Sequence, residues 1–303
     1  MTLREQMEQE EYAVLSPLAQ KAAETKGRLY PREEDDVRTC YQRDADRIVH
    51  SKSFRRLMHK TQVFLSPEGD HYRTRMTHTL EVSRIARTIC RGLKLNCDLA
   101  EAAAYGHDLG HTPFGHAGEK ALSDMMGAPF RHNEQSLRVV DKLERGGTGL
   151  NLTYEVRMAI LGHTGTFIPE TLEGQIVRTS DRIAYINHDI DDAMRAGLLT
   201  ENDIPRKISD VLGTSHSERI GTLVSDMIYN TQATGKLGMR PEIAQAMDAL
   251  RTFMFQRVYT NPVAKGEEVK AKDIIRRLFE YYSKDPNRLP ADFLPQLDFD
   301  GMD

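Results

Sequence analysis

The segment MTHTLEVSRIARTI (residues 76–89) carries the pattern on which the fold prediction depends. His78, Val82, Ile85 and Ile89 recur at steps of three and four residues, which places side chains on one face of an α-helix. The pattern therefore predicts a helix that turns this face toward the core. A histidine on such a face needs a polar partner, either a backbone carbonyl or another functional side chain.

Helical periodicity continues along the chain on both sides of this segment. No run of alternating β-branched residues is long enough to predict a strand, so we expect an all-α fold. Residues 1–35 are polar and punctuated by turns, which predicts a short helix and an irregular arm. Further helices are predicted over residues 44–64, 74–93, 98–110, 116–126, 133–144, 152–163, 170–195, 203–212, 216–232, 241–257 and 267–283.

The composition of the 303 residues, 39% hydrophobic and 28% charged with a mean hydropathy of -0.54, is typical of a globular protein with a sizeable core. The sequence contains neither a membrane-length apolar stretch nor an apolar N-terminus, which predicts a cytoplasmic protein without a membrane partner. The three cysteines lack paired spacing, so a disulfide or thiolate metal site is not expected, and Cys90 fits a core position.

The net charge of -4 is unevenly distributed. Residues 47–91 carry ten Lys/Arg against three Asp/Glu, whereas residues 170–210 carry nine acids against five bases. Such an asymmetry is compatible with a site for phosphate and a cation, although solvated helix faces give the same statistics.

The segment AEAAAYGHDLGHTPFGHAGEKAL (residues 100–122) concentrates side chains that bind metals or carry protons. These are His107, Asp108, His111, His116 and Glu119. His107 and Asp108 diverge by about 100° on a helix, so one ion can take both only if other helices supply further ligands. Pro113 stops the helix and predicts a turn in which an imidazole can approach the ion.

The segment QIVRTSDRIAYINHDIDDAMRAG (residues 175–197) predicts a long helix with a polar face and an apolar face. Asp181, Tyr185 and Asp189 share one face at i, i+4 and i+8, which is typical of a site lining. The core side is expected to be formed by Ile176, Ile183, Ile186 and Ile190. For the acidic group at 189, 191 and 192, a solvated acidic face is an equal alternative.

Taken in order, these motifs resemble the bacterial deoxyguanosinetriphosphate triphosphohydrolase-like family of the HD superfamily. The matching segments extend from YQRDADRIVHSKSFRRLMHKTQVF (41–64) to at least Val258 and Tyr259. Between them lie RTRMTHTLEV (73–82), HDLGHTPFGHAGE (107–119), RHNEQSLRVV (131–140), GLNLTYEVR (149–157) and DRIAYINHDIDDA (181–193). The resemblance implies an HD-domain helical bundle with additional C-terminal helices.

The resemblance also implies a metal site and an acid–base group. The implied metal ligands are His78, His107, Asp108 and Asp181. Two histidines and two carboxylates suit a divalent ion such as Mn, Mg or Fe. The implied catalytic pair is His116 and Glu119, with His132 as an additional active-site histidine, although His132 also fits an ordinary helix start.

The implied substrate is a deoxynucleoside triphosphate, hydrolysed to deoxynucleoside and inorganic triphosphate. Gln62 resembles a sugar contact, and Arg75 and Arg182 resemble phosphate contacts, since guanidinium and phosphate form charge-assisted pairs. Among the C-terminal helices, Arg257 is a candidate for a further phosphate contact. Tyr185 and Asp189 match deoxyribose contacts, although Tyr185 also fits a core aromatic.

The resemblance further implies a homo-oligomer, a tetramer or hexamer. We expect an N-terminal arm over 1–35, an HD phosphohydrolase domain over 36–235, and a C-terminal helical extension over 236–303 packed on the HD core. About seventy residues separate Asp108 from Asp181, so the large insertions of longer dGTP-selective members are missing. The base preference of those longer members therefore cannot be assigned to this protein.

Two other functions fit parts of the pattern. An HD phosphodiesterase or 5'-nucleotidase would use the same ligand set, but the Gln62, Tyr185 and Asp189 set argues against it. A regulatory protein that binds nucleic acid, including single-stranded nucleic acid, could use the basic 47–91 segment around a vestigial site. The presence of all four implied metal ligands argues against a site that has lost its function.

Overall fold

A computed structural model of the chain describes residues 1–60, 73–259, 262–291 and 293–294, with the backbone alone for 262–267. The expected all-α fold is confirmed, because regular structure in these residues is helical and β contacts are limited to isolated bridges such as Arg28–Thr153. The helices are α1 (Leu3–Val14), α2 (Cys40–Val49), α3 (Lys52–Arg56), α4 (Arg75–Gly92), α5 (Cys97–Gly106), α6 (Gly115–Met126), α7 (His132–Arg138), the single turn α8 (Glu144–Gly147), α9 (Tyr154–Gly162), α10 (Leu172–Arg195), α11 (Arg206–Leu212), α12 (His216–Thr234), α13 (Pro241–Met254) and α14 (Pro262–Lys284). Short 3-10 turns lie at Ala22–Glu24, Leu57–His59, Glu201–Asp203 and Pro286–Arg288, and π turns at Val139–Leu143 and Phe255–Tyr259.

Several predicted helices differ from the structure at their boundaries; for example, the helix predicted over 203–212 begins at Arg206 and the one over 267–283 begins at Pro262. The helix predicted over 44–64 is divided, because the Ser51 hydroxyl accepts from the Phe54 amide and caps a new helix, α3. Residues 61–64 of that prediction lie outside the described residues. The helix predicted over 98–110 ends at Gly106, so His107 and Asp108 lie in the turn that follows α5.

The alanine-rich helix α5 is the centre of the bundle. Its Ala100, Ala103 and Ala104 pack in one apolar cluster with α4, α10, α12 and α13, whereas Leu99 and Ala102 pack in a second cluster with α2 and α9. Small side chains let neighbouring helices approach closely. The core faces predicted for α4 and α10 are confirmed, since Val82, Ile85, Ile89, Ile176, Ile183, Ile186 and Ile190 are all buried.

Two glycines bring the end of α5 and the turn after it against other elements. A Cβ on Gly106 would lie 2.3 Å from the Ile160 side chain of α9. A Cβ on Gly110 would lie 2.1 Å from the Ser136 backbone nitrogen and 2.6 Å from the His132 carbonyl oxygen. The turn that carries His107 and Asp108 therefore lies directly on the backbone of α7.

The first of the C-terminal helices, α13, packs on the same core. The chain leaves α12 through Gly235, whose φ of 68° is left-handed, and enters α13 at Pro241. Buried residues of α13, among them Ile243, Met247 and Leu250, join the cluster formed by α4 and α10. The segment after α13 is thereby held close to the polar face of α10.

A buried carboxylate, Glu173, joins three parts of the chain. Its Oε1 accepts from the backbone amides of Gln20 in the arm (3.1 Å) and Asn96 before α5 (3.0 Å), while Glu173 itself lies in the first turn of α10. Its Oε2 is buried and has no hydrogen-bond partner among the described residues. Burial raises the pKa of Glu173 to about 7, against an ordinary value of 4.5.

We expect the contribution of Glu173 to the free energy of unfolding of the metal-free protein to fall as pH rises from about 4.5 to about 7 and then to level off. In this window the folded Glu173 keeps a proton that the unfolded chain releases, which amounts to roughly 3 kcal/mol. Urea unfolding at a series of pH values should therefore give a free energy of unfolding whose slope against pH in this window is more positive in Glu173→Gln than in wild type. The exposed neighbour Glu170→Gln is the control, and equal slopes in wild type and Glu173→Gln would contradict the expectation.

Candidate metal centre and active site

Three helices bring the four predicted metal ligands together. His78 lies in α4, His107 and Asp108 directly follow α5, and Asp181 lies in α10. His78 Nε2 is 3.0 Å from Asp181 Oδ1, and His107 Nε2 is 3.8 Å from both Asp181 Oδ1 and Asp108 Oδ1. Ligand atoms of His78, His107 and Asp108 all lie within 4.8 Å of one another.

The hydrogen bonds of His107 fit a bound cation. His107 Nδ1 donates to the Ala104 carbonyl at 2.6 Å, so its Nε2 carries the lone pair. That Nε2 is buried beside two carboxylates and has no hydrogen-bond partner in the described part of the chain. A divalent ion would satisfy this nitrogen and neutralise the carboxylates.

The two carboxylates are held in the ionised form. Burial opposes ionisation of Asp181, but the hydrogen bond with His78 and the nearby His107 lower its pKa to about 2. Burial is likewise outweighed at Asp108 by the Arg75 guanidinium, which holds the pKa of that carboxyl well below its ordinary value. Nitrogen and carboxylate oxygen ligands together suit a divalent ion of the Mn, Mg or Fe type.

Arg75, predicted as a phosphate contact, is buried and bound to a predicted metal ligand. Its Nη1 donates to Asp108 Oδ2 at 2.8 Å, and 5% of Arg75 is exposed. The guanidinium thus orients the Asp108 carboxylate and leaves Oδ1 facing His107. Sequence reasoning did not identify Lys60, whose ammonium donates to the carbonyls of Leu109 and His111 and so braces the same turn.

A second cluster surrounds the carboxylate of Glu119 in α6. His132 Nδ1 lies 2.7 Å from Glu119 Oε1, and His116 Nδ1 lies 3.4 Å from Oε2. His111 Nδ1 is 3.5 Å from Oε1, and its ring stacks on His132 with centroids 4.3 Å apart. The structure therefore brings together the predicted pair His116 and Glu119 with His132, the first residue of α7.

The hydrogen-bonding neighbours of His132 indicate which of its ring nitrogens carry protons. His163 Nδ1 donates to the Ile160 carbonyl at 2.7 Å, so His163 Nε2 accepts from His132 Nε2 at 3.1 Å. His132 Nδ1 faces the Glu119 carboxylate, which can only accept. Burial opposes the charged form, but the hydrogen bond to Glu119 raises the pKa of His132. Both nitrogens of His132 thus have polar neighbours, and the Glu119 carboxylate favours the protonated ring.

His163 was not predicted as a site residue. A histidine at the end of an amphipathic helix normally bonds to a backbone carbonyl, and His163 does so with Ile160. Burial, with the neighbouring His107 and His132, lowers its pKa to about 3, so it stays neutral and accepts. Its partner lies on another helix, so local sequence gave no signal for the contact.

The polar face of α10 continues from the metal site toward the C-terminal helices. Tyr185 is half-buried against the apolar core, and Asp189 is buried with a pKa raised by burial to about 7. The Tyr259 hydroxyl donates to Asp189 Oδ2. Sequence reasoning missed Tyr259, which stands on the π turn after α13, seventy positions from Asp189.

The neighbouring acids of α10 do not form a solvated face. Asp192 is buried near Arg73 at 3.6 Å, and Asp191 contacts Arg73 at 3.3 Å and His216 at 2.8 Å. The interpretation of these acids as a solvated face is therefore wrong for Asp189 and Asp192.

The remaining predicted contacts have different positions. Gln62 lies outside the described residues. Arg182 is half-buried next to Asp181 and forms no ion pair within the described residues. Arg257 is instead 58% exposed at its side chain and pairs with Asp203 at 3.6 Å.

Residues 75–186 match the family model of the HD domain, and residues 237–302 match that of the phosphohydrolase-associated domain. A crystal structure of a hypothetical protein from Aquifex aeolicus shares the fold, with a TM-score of 0.52 and 22% identity, over 78% of this chain and 61% of that chain. The protein is thus an HD-domain, metal-dependent phosphohydrolase.

Curated relatives define the family more closely. The chain is 54% identical to a protein of Caldanaerobacter subterraneus (97% of this chain, 87% of the relative) and 51% identical to one of Desulfatibacillum aliphaticivorans (93% and 84%). It is 48% identical to a protein of Clostridium tetani (100% and 90%). All three are named deoxyguanosinetriphosphate triphosphohydrolase-like protein, and the chain belongs to this family.

Within the described residues, none of the helices combines the length and apolarity needed to cross a membrane.

We expect Asp108→Ala to weaken Mn²⁺ binding by about 10- to 100-fold or more and also to destabilise the fold. The second effect follows because Arg75 would keep its charge in a buried position without a partner, at a cost of about 3–5 kcal/mol. Isothermal titration with Mn²⁺ and urea unfolding measure the two effects. The exposed Asp210→Ala is the control, and a variant with wild-type Mn²⁺ affinity would remove Asp108 from the metal site.

Proposed function

We propose that the protein hydrolyses deoxynucleoside triphosphates to deoxynucleoside and inorganic triphosphate, with a divalent ion held by His78, His107, Asp108 and Asp181. One observation carries the proposal. Asp108 belongs both to the cluster with His78 and His107 and to a second cluster with His111 and His132. A metal site and a cluster of histidines therefore meet at one carboxylate, an arrangement that suits metal-assisted hydrolysis of a phosphoester.

The names of the curated relatives support a nucleoside triphosphate as the substrate. When bound, the divalent ion would offset negative charge on the phosphoryl oxygens and lower the pKa of a water molecule. Arg75 fixes the Asp108 carboxylate, and the neighbouring Arg182 is available to contact phosphate oxygens.

A histidine in contact with Glu119, His132 or His116, transfers the proton in the proposed reaction. Attack of water at the α-phosphorus forms one P–O bond and breaks the bond to the sugar 5'-oxygen. The sugar oxygen takes a proton and leaves as a hydroxyl, and the attacking water gives up a proton to solvent. Glu119 and His163 fix the direction of the His132 ring. His116 is 86% exposed and contacts the same Glu119, so we assign it to the open side of the site.

The polar face of α10 is proposed to bind the sugar. Tyr185 would lie against the deoxyribose, and Asp189 would accept from its 3'-OH. Tyr259 already bonds to Asp189, so the C-terminal segment contributes to this wall. This supports the proposed organisation of arm (1–35), HD domain (36–235) and C-terminal extension (236–303). We also propose a homo-oligomer, a tetramer or hexamer, which light scattering would measure.

The proposed reaction predicts inorganic triphosphate as the phosphate product in a single step. Purified protein would be incubated with each dNTP and Mn²⁺, and the products separated by anion exchange. Glu119→Gln should retain Mn²⁺ binding but lose hydrolysis by about 10²-fold or more, since Glu119 holds the proton donor and not the ion. Release of orthophosphate or pyrophosphate in place of triphosphate would contradict the proposal and favour a phosphodiesterase or nucleotidase.

Tyr185 is expected to discriminate against ribonucleotides. Its ring stands one helical turn from both Asp181 and Asp189, so a ribose 2'-OH would meet it. The wild type should prefer dGTP over GTP and dATP over ATP by about 10- to 200-fold in kcat/KM. Tyr185→Ala should narrow this ratio, mainly by loss of dNTP turnover.

Thermal melts serve as the control for Tyr185→Ala, because the ring also packs against the core. An unchanged ratio in a folded variant would show that Tyr185 acts only in packing.

A further inference from the structure

The two imidazoles of the candidate metal centre are held in different ways. The outer nitrogen of each ring is the one that faces away from the metal centre. In His107 this nitrogen, Nδ1, donates to the backbone carbonyl of Ala104. His78 instead turns its outer nitrogen, Nδ1, toward Nδ1 of His188 at 3.3 Å. Both rings are buried and cross at 89°.

His188 connects His78 to a carboxylate. The second nitrogen of His188, Nε2, lies 3.0 Å from Oε2 of Glu81, one turn after His78 on α4. Arg73 contacts the same carboxylate at 3.2 Å, and the pKa of Glu81 is lowered although its partial burial acts against ionisation. Glu81 is therefore an ionised acceptor.

One arrangement of protons satisfies this row of three side chains. A metal-bound His78 presents the lone pair of Nε2, so its proton lies on Nδ1 and must be donated. His188 Nδ1 accepts that proton, so His188 carries its own proton on Nε2 and donates it to Glu81. Every polar atom in the row then has a complementary partner.

We propose that His188 and Glu81 are positioning residues that hold His78 in its metal-binding tautomer and increase the basicity of Nε2. Outer-shell partners of metal-bound histidines fix the ring and tune the affinity for the ion. Here the carboxylate acts through an intervening imidazole. The inference rests on the metal site of the proposed function and not on its substrate.

The test is the Mn²⁺ affinity of metal-stripped protein, measured by isothermal titration at one fixed pH without nucleotide. His188→Leu removes the acceptor and should weaken binding by roughly 10- to 100-fold. In His188→Asn the amide oxygen occupies the place of Nδ1, so it should accept from His78 and restore most of the affinity. The matched control is His216→Asn, since His216 stacks on His188 but its Nδ1 lies 2.8 Å from the Asp191 carboxylate.

The outcomes are distinguishable from those of the proposed reaction, because Mn²⁺ binding is measured without dNTP. A folded His188→Leu with wild-type affinity would overturn the inference, and so would His188→Asn that binds as weakly as His188→Leu. If His188→Leu does not fold, Glu81→Gln decides, because Glu81 is partly exposed and tolerates substitution. Loss of affinity by about threefold or more in Glu81→Gln supports the inference, and an unchanged affinity overturns it.

Discussion

The ionisation of two carboxylates, the buried Asp108 and the half-buried Asp181, is the constraint on which the rest of the site depends. Neither could stay charged in a bundle core without compensation. Arg75 neutralises one side of Asp108, and His78 engages Asp181. What remains is a concentration of negative charge beside the unpartnered Nε2 of His107. The neighbours that let both carboxylates stay ionised in the core thus also leave a site that favours a cation.

A second carboxylate, Glu119, organises the neighbouring cluster in a different way. Its pKa is lowered to about 2 because the hydrogen bonds with His116 and His132 outweigh burial. Glu119 is therefore ionised near neutral pH, and its charge favours the protonated form of His132. Asp108 and Glu119 thus separate the histidines into a group proposed to bind the metal and a group proposed to carry protons.

Local spacing predicted the helices well, whereas the four proposed metal ligands followed from the resemblance to a known family, and the structure brings them together. The steps of three and four from His78 to Ile89 define a helix and its buried face without reference to other elements. Residues that meet across the fold were not predictable in this way. Tyr259 meets Asp189 from seventy positions away, and His163 meets His132 from thirty-one. The boundary of α3 was missed because the Ser51 cap competes with an unbroken helical pattern.

The close approach at Gly110 has a mechanical consequence. The turn bearing Asp108 rests on the α7 backbone, and Ser136 ties it there by accepting from the Gly110 amide and donating to the His107 carbonyl. The proposed metal ligand Asp108 and the proposed proton carrier His132 are therefore held at a fixed spacing, which a larger or smaller substrate cannot adjust. The opposite wall of the site is formed by α10 and by Tyr259, which lies on the π turn at the end of α13. Sequence changes that alter substrate choice among related chains should therefore occur mainly in this opposite wall.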